Sequence, residues 1–422
     1  MESITYTYRI HPDLDQEAKM LNWLEQCRRV YNYALRQRKD WINSRKCRID
    51  ACSLRQEYII PAGVPYPDYY QQQNALTEAK KNIPQFKAVH SQVLQDALKR
   101  LDRAFKMRQE RQFGFPRFKK VGRYRSFVFP QFKSNPVNGW QIKLPKVGKM
   151  PIVLHRAIPE GFVVKQVRVL FKASGWYAQL ILQSDISIAE PMPHGEPLGI
   201  DWGISSFVAT SQGELIDNPR FYIQSQSQLK WLQRRLSKKR IGSKSYQALA
   251  KKISLLHEKI GNQRKDFHYK VSHHLCRTAG MIFAEDLNIL GLSKGMLSKH
   301  VLDSAPGQFL SILDWVCRQT GTYHQKVDAK GSSQLCPECG ADVPKDLSVR
   351  IHNCPECHVV MPRDVASGKI IVNRGIAAVE GLAVKLGVEE DSVESRSSTK
   401  LSIRVEKPAL YTLRVSVGSK SH

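Results

Sequence analysis

The stretch Leu198-Gly199-Ile200-Asp201-Trp202-Gly203 decides how this chain is read. Leu198 to Ile200 is an apolar run that a sheet should bury, yet it ends in a carboxylate, and burying an unpaired charge is expensive. Asp201 is therefore either a structural acid capping a turn with Gly203 or a functional one. A second acid, Glu285, ends the apolar run Met281-Ile282-Phe283-Ala284, with Asp286 beside it on the opposite strand face. A third, Asp364, opens the run Val365 to Ala378, whose first turns carry the small residues Ala366, Ser367 and Gly368. Alone, Asp364 reads as a helix cap. Taken together in a basic chain, two strand-end carboxylates and one at a helix start match what a pair of divalent ions needs. Hard oxygen ligands hold Mg²⁺, and two ions about 4 Å apart stabilise the attacking and leaving oxygens of a phosphodiester.

Between the second and third acids lie Cys336, Cys339, Cys354 and Cys357, two C-x-x-C pairs separated by 14 residues. Four thiolates at this spacing bind one tetrahedral Zn²⁺ ion and leave no open position for catalysis, which gives the zinc a structural role. A redox C-x-x-C does not explain two such pairs flanking the polar turn Asp342 to Arg350. The other cysteines, Cys27, Cys47, Cys52, Cys276 and Cys317, read as small buried hydrophobes of a reducing cytosol.

Around these motifs the second half reads as an α/β arrangement. Pro191, Pro193 and Pro197 mark a linker, and the run ending at Asp201 is followed by a hairpin, Ser205 to Ile216, turning at Gln212-Gly213. Helices are expected from about Gln224 to Ile260 and from Asp266 to Ala279, strands at Met281 to Ala284 and Thr322 to Val327, and a helix from about Val365. In the first half, Ile4, Tyr6, Tyr8 and Ile10 alternate with polar residues as a half-buried strand does. Leu14, Ala18, Leu21, Leu24, Tyr31 and Leu35 then recur near the helical period. Residues 61–70 read as a loop, followed by helices over Ala75 to Lys81 and about Gln92 to Gln112. Short strands follow at Arg125 to Phe132, Trp140 to Leu144, Ile152 to Leu154, Val163 to Lys172 and Trp176 to Gln183. They suggest a small barrel or sandwich, joined by the first strand, with a helical lobe inserted after it. Beyond Gly387 the chain turns Ser- and Glu-rich, and a poorly ordered tail is expected.

The chain has 422 residues, enough for about three domains, and carries 65 Lys and Arg against 38 Asp and Glu, a net charge of +27. Such a surplus calls for a polyanionic partner, nucleic acid first. It is concentrated in two windows. Lys230 to Lys270 holds 13 basic and two acidic residues, and Lys99 to Lys133 holds 12 and two. The second is interleaved with Phe105, Phe113, Phe115, Phe118, Tyr124, Phe127, Phe129 and Phe132, most of them expected in the core. No stretch approaches the roughly 18 apolar residues of a membrane span, and Met1 to Ile10 lacks the continuous apolar run of a signal peptide. A soluble intracellular protein is expected.

In order, Gly199-Ile200-Asp201-Trp202-Gly203, Glu285-Asp286-Leu287, Ser333-Gln334-x-Cys336-x-x-Cys339-Gly340, Cys354-x-x-Cys357 and Arg363-Asp364 resemble TnpB, the insertion-sequence-encoded RNA-guided endonucleases related to type V CRISPR effectors. Tyr8-Arg9-Ile10, Arg29-Val30-Tyr31-Asn32-Tyr33-Ala34-Leu35 and Gly114-Phe115-Pro116-Arg117-Phe118-Lys119 resemble it too, so the match runs to about residue 385. Where the family commonly has Asp-Arg-Asp-x-Asn-Ala-Ala, this chain has Pro362-Arg363-Asp364-Val365-Ala366-Ser367-Gly368, retaining Asp364.

The resemblance implies a multidomain α/β chain. Its parts are a β-barrel wedge domain (1–11 and 113–190), a helical recognition lobe inserted in it (12–112), a RuvC-like nuclease domain of RNase H fold (191–330 and 360–386) and an inserted zinc ribbon (331–359), followed by the disordered tail that composition predicts (387–422). It implies Asp201, Glu285 and Asp364 as the ligands of two catalytic Mg²⁺ ions. It also implies a guide RNA from the protein's own transposable element, pairing with double-stranded target DNA beside a short duplex motif read by the protein. The assembly expected is one protein chain in a ribonucleoprotein in the cytoplasm of a prokaryotic cell, acting on nucleoid DNA. A guide-dependent repressor would not need the three acids, a miniature CRISPR effector would share every feature, and a strand transferase fits poorly with a ribbon between the second and third acid.

Overall fold

The computed structural model describes residues 2–46, 60–61, 63–111, 113–132, 134–185, 190–328, 330–346 and 348–385. The chain divides into two compact units, Met1–Ile188 and Ala189–His422. The tail expected at 387–422, together with Cys47 and Cys52, lies outside the described residues.

In the first unit, β1 (Glu2–Ile10), β2 (Ser126–Phe129), β3 (Val137–Asn138), β4 (Gln141–Leu144), β5 (Gly148–Val153), β6 (Val163–Lys172) and β7 (Gly175–Ser184) form one antiparallel half-barrel. Their order is β2-β6-β7-β1-β5-β4-β3. β1 pairs along its whole length with β7 and, at Arg9 and Ile10, with β5, burying Ile4, Tyr8 and Ile10 at period two. Pro12 ends the strand, and a capping box starts the next helix. Asp13 Oδ1 accepts from Gln16 N (2.7 Å), and Gln16 Oε1 accepts from Asp13 N (3.2 Å).

That helix, α1 (Leu14–Lys46), buries Met20, Trp23, Leu24, Cys27, Val30, Tyr31, Ala34 and Leu35. The expected stripe was out of phase at its start, since Leu14 and Leu21 are exposed. Trp23 lies 5.6 Å from the Phe127 ring and 6.1 Å from Phe129, and the largest aromatic contact sets the helix rotation. α2 (Tyr69–Asn82) begins inside the stretch read as loop, because Asp68 caps it by accepting from Gln71 N (2.8 Å). α3 (Pro84–Ala88) and α4 (Ser91–Arg111) follow. Arg38, 1% exposed, donates to Asp102 and Gln72 and so ties α1 to α4 and α2.

The second unit opens with β8 (Pro197–Trp202), β9 (Ser206–Thr210) and β10 (Leu215–Asp217), then α5 (Phe221–Ser237), α6 (Lys244–Thr278) and β11 (Met281–Glu285). It continues with α7 (Ile289–Leu292), α8 (Ser298–Ser304), α9 (Pro306–Thr320) and β12 (Tyr323–Val327). The pair β13 (Ile351–Asn353) and β14 (Val360–Pro362) and the last helix, α10 (Arg363–Lys385), complete it. The five-stranded sheet has the order β10-β9-β8-β11-β12, antiparallel on the β8–β10 side and parallel where β11 joins β8 and β12. All five residues of β11 are buried, as expected of a parallel strand covered on both faces. Leu198, Ile200 and Ile282 pack with Val271, Leu275, Phe309 and Leu313, whereas Phe283 packs with Ile371 of α10.

Helices were expected to break between residues 260 and 266, but the break falls at 238–243. Gly242 takes a left-handed φ of +86° there, and Ser243 caps α6 by accepting from Tyr246 N. Gly261 stays inside α6, where one glycine costs only about 1 kcal/mol.

α10 lies against the sheet through bare backbone. A Cβ on Gly199 would stand 2.0 Å from the Gly368 carbonyl oxygen, and one on Gly375, two turns further, 2.2 Å from the Phe283 ring. Ser211 locks the same point, donating its N–H to Gly199 O (2.9 Å) and accepting from Gly199 N on its hydroxyl (3.1 Å). Gly199→Ala is predicted to cost roughly 3 kcal/mol in urea unfolding of the intact chain, because packed backbone must move apart. Gly261→Ala, with open space at its Cβ, should be neutral or stabilise by up to about 1 kcal/mol. Equal effects from the two substitutions would remove the close approach from the account.

Candidate metal centres

Asp201 and Glu285 each stand one residue beyond the paired positions Ile200 and Ala284 on parallel neighbours, so the register alone brings the two acids side by side. Asp364, in the first turn of α10, accepts from the Ser206 hydroxyl (3.4 Å), and its Oδ2 lies 3.9 Å from where a Gly203 Cβ would be. Ser206 opens β9, whose Ala209 pairs with Asp201. The three acids that sequence reasoning singled out are thus brought to one end of the sheet. Asp286 points away, is exposed and pairs with Lys326 at 3.4 Å.

Burial, reinforced by the charges of Glu285 and then Asp364, holds the Asp201 carboxyl well above the usual carboxylate range, with Arg363 acting the other way. Burial also raises Glu285, against the hydrogen bond from Ser332 and the charge of Arg374. A buried acid raised by two neighbouring carboxylates is an environment that a divalent cation would reverse in sign. The donors are all oxygen, which suits Mg²⁺ rather than zinc. Among the described residues, the one group of potential ligands whose donor atoms all lie within 4.8 Å of one another is the cysteine quartet.

In that quartet, Cys336 Sγ is 3.6 Å from Cys357 Sγ, and Cys339 Sγ is 3.5 Å from Cys354 Sγ. A tetrahedron of Zn–S bonds near 2.3 Å has an edge of roughly 3.8 Å, so the sulfurs fit a zinc ion with little movement. Two Cys-Pro-Glu-Cys knuckles supply them. Each is followed by a left-handed residue, Gly340 (φ +75°) and His358 (φ +58°), which turns the chain back so that Gly340 N reaches Cys336 O and His358 N reaches Cys354 O (both 3.0 Å). Gln334 closes the loop from outside, exchanging bonds with Lys345 N and O.

Sequence reasoning missed Ser332 and Arg374. Ser332 donates to Glu285 Oε1, and Arg374 donates to the carbonyls of Asp328 and Lys330. Neither has a local signature, because each partner is distant in sequence. The basic window Lys230 to Lys270 is surface, with twelve of its thirteen cations exposed; Arg264 instead turns inward to Asp303 (3.3 Å). In the other window Phe105, Tyr124, Phe127 and Phe129 are buried and Phe115 and Phe132 pack on that core, while Phe113 and Phe118 are exposed. No helix of the described residues is long and apolar enough to cross a membrane.

Three family models match the chain: "Probable transposase" over residues 180–296, "Cas12f1-like, TNB domain" over 307–371 and "Helix-turn-helix domain" over 1–47. Within the last of these the described structure is a strand and one 33-residue helix. An Escherichia coli (strain K12) protein named as an RNA-guided DNA endonuclease, InsQ, is 30% identical over 353 residues, covering 79% of this chain and 83% of that protein. One from Streptomyces pristinaespiralis, named as an RNA-guided DNA endonuclease, is 30% identical over 342 residues, covering 79% and 80%. Among solved structures, a Cas12f1–sgRNA–target DNA complex is similar at 15% identity with a TM-score of 0.33, covering 89% of this chain and all of that one. By its identity to these relatives and the length it shares with them, the chain belongs to the TnpB family.

Proposed function

We propose that this chain is an RNA-guided DNA endonuclease: it binds a guide RNA from its own transposable element and cleaves complementary double-stranded DNA beside a short duplex motif. The observation that carries the reading is the grouping of Asp201, Glu285 and Asp364 at the carboxyl ends of β8 and β11 and the first turn of α10. The sheet order, three antiparallel strands extended by two parallel ones, supports assigning the second unit to a RuvC-like RNase H fold. The half-barrel would be the wedge domain, and the helices inserted after its first strand the recognition lobe.

In this mechanism Asp201, Glu285 and Asp364 would hold two Mg²⁺ ions. When bound, the ions supply an activated water and charge stabilisation to the scissile phosphodiester. The protein keeps those acids in place, two by strand register and one by the glycine contact of α10. Arg363, next to Asp364, adds a fixed positive charge near Asp201, and its guanidinium is held by the carbonyls of Asp346 and Val349. Sequence choice belongs to base pairing with the guide. The exposed cations of the two basic windows hold phosphates whatever their sequence.

Asp201→Ala, Glu285→Ala and Asp364→Ala are each expected to lower DNA cleavage at least roughly 10³-fold, with guide RNA and target DNA binding unchanged in filter-binding assays. Cleavage persisting in any one of them would remove that residue from the ligand set. The four cysteines are proposed to hold a structural zinc ion. Elemental analysis should return about one zinc per chain, and Cys354→Ser should lower both zinc content and melting temperature. Zinc-free protein that melts normally would contradict this.

A further inference from the structure

Glu285 is 9% exposed, and its Oε1 accepts from the hydroxyl of Ser332, itself 5% exposed, at 2.5 Å. Water has little access to replace this bond, so the orientation of the Glu285 carboxyl depends on where Ser332 is held. Two independent structures fix it. On the amino side, Arg374 of α10 clamps the backbone at Asp328 O (2.6 Å) and Lys330 O (2.8 Å), and Gly331 turns the chain with φ +73°. On the carboxyl side, Gln334 N closes onto Gly331 O (3.0 Å), and Gln334 grips the ribbon two residues before the first cysteine. Arg374 is also the residue before Gly375, the point at which α10 meets Phe283, two residues ahead of Glu285.

We propose that Ser332 is a positioning residue for the carboxylate site: its hydroxyl fixes the Glu285 carboxyl in the orientation that receives a divalent cation, and α10 and the cysteine ribbon together hold Ser332 there. The proposal rests on Glu285 being a metal ligand, as read above. Donors behind a ligand of this kind commonly change metal affinity by roughly 10- to 100-fold when removed. The hydroxyl, rather than the volume of the side chain, is what the proposal requires.

The test uses the full chain with its guide RNA and compares Ser332→Ala, Ser332→Thr and Ser332→Val. Threonine and valine have the same shape and differ in the hydroxyl, so their comparison survives any loss of folding specific to alanine. Mn²⁺ binding is read from the electron paramagnetic resonance of the free ion, alongside the Mg²⁺ dependence of cleavage, zinc content and melting temperature. Ser332→Ala and Ser332→Val should weaken Mn²⁺ binding and raise the Mg²⁺ concentration for half-maximal cleavage by roughly 10- to 100-fold. Ser332→Thr should stay near the parent, and zinc content should be unchanged in all three. Mn²⁺ affinity equal to the parent in Ser332→Val, or equal losses in the threonine and valine variants, would overturn the proposal. Glu285→Ala measured in parallel separates the two readings. If it binds Mn²⁺ and cleaves normally, the ligand assignment has failed. If it loses both while Ser332→Val loses neither, only the role of Ser332 has.

Discussion

The second unit depends on one contact between backbones: Gly199 of the central strand against Gly368 of the last helix, with no side chain on either residue to hold them apart. Sheets packed face to face through ordinary side chains stand about 10 Å apart. Here the Gly368 carbonyl occupies the place of a Gly199 Cβ, and Gly375 lies on the Phe283 ring two turns later. The helix is therefore pressed onto β8 and β11, and its first turn delivers Asp364 to the strand ends that carry Asp201 and Glu285. A methyl group at Gly199 would have to push the helix that carries the third acid outward, and the electrostatics of the site would change with it.

Electrostatics explains why so much structure surrounds three acids. Carboxylates placed together and partly buried resist ionisation, as the raised Asp201 and Glu285 show, and folding alone gains nothing from them. The site tolerates this repulsion because each acid is held by an element stabilised elsewhere. Strand register holds two, the apolar core of β11 and α10 holds the third, and Arg374 and Ser332 tie Glu285 to the loop that enters the ribbon. The cysteine knuckles then anchor that loop from the other side. A group of residues costly to the fold, yet fixed by several independent contacts, is what a binding site for a counter-charge requires.

What the sequence revealed, and what it hid, follows from the range of the interactions. The four cysteines and the strand-end acids were legible because their signals are local: a fixed C-x-x-C spacing, or a charge closing an apolar run. The small residues at 366–368 were visible too, but their purpose was not, since it lies in a glycine far upstream. Ser332 and Arg374 carried no signal for the same reason. The phase of α1 was misjudged because Leu14 and Leu21 fit the helical period as well as Trp23 does, and only the aromatic core of β2 shows which stripe is buried. The helix break expected between 260 and 266 falls instead at 238–243, where Gly242 takes a left-handed φ and is followed by the capping Ser243, while Gly261 stays inside the helix.

Under the proposed function, the last helix and the sheet build a cation site from Asp201, Glu285 and Asp364. Anomalous diffraction from crystals of the guide-bound protein grown with Mn²⁺ tests it most directly. The account predicts two manganese peaks about 4 Å apart, with oxygen atoms of all three carboxylates in their coordination shells. Manganese bound elsewhere, or ordered carboxylates with no metal between them at saturating Mn²⁺, would contradict it.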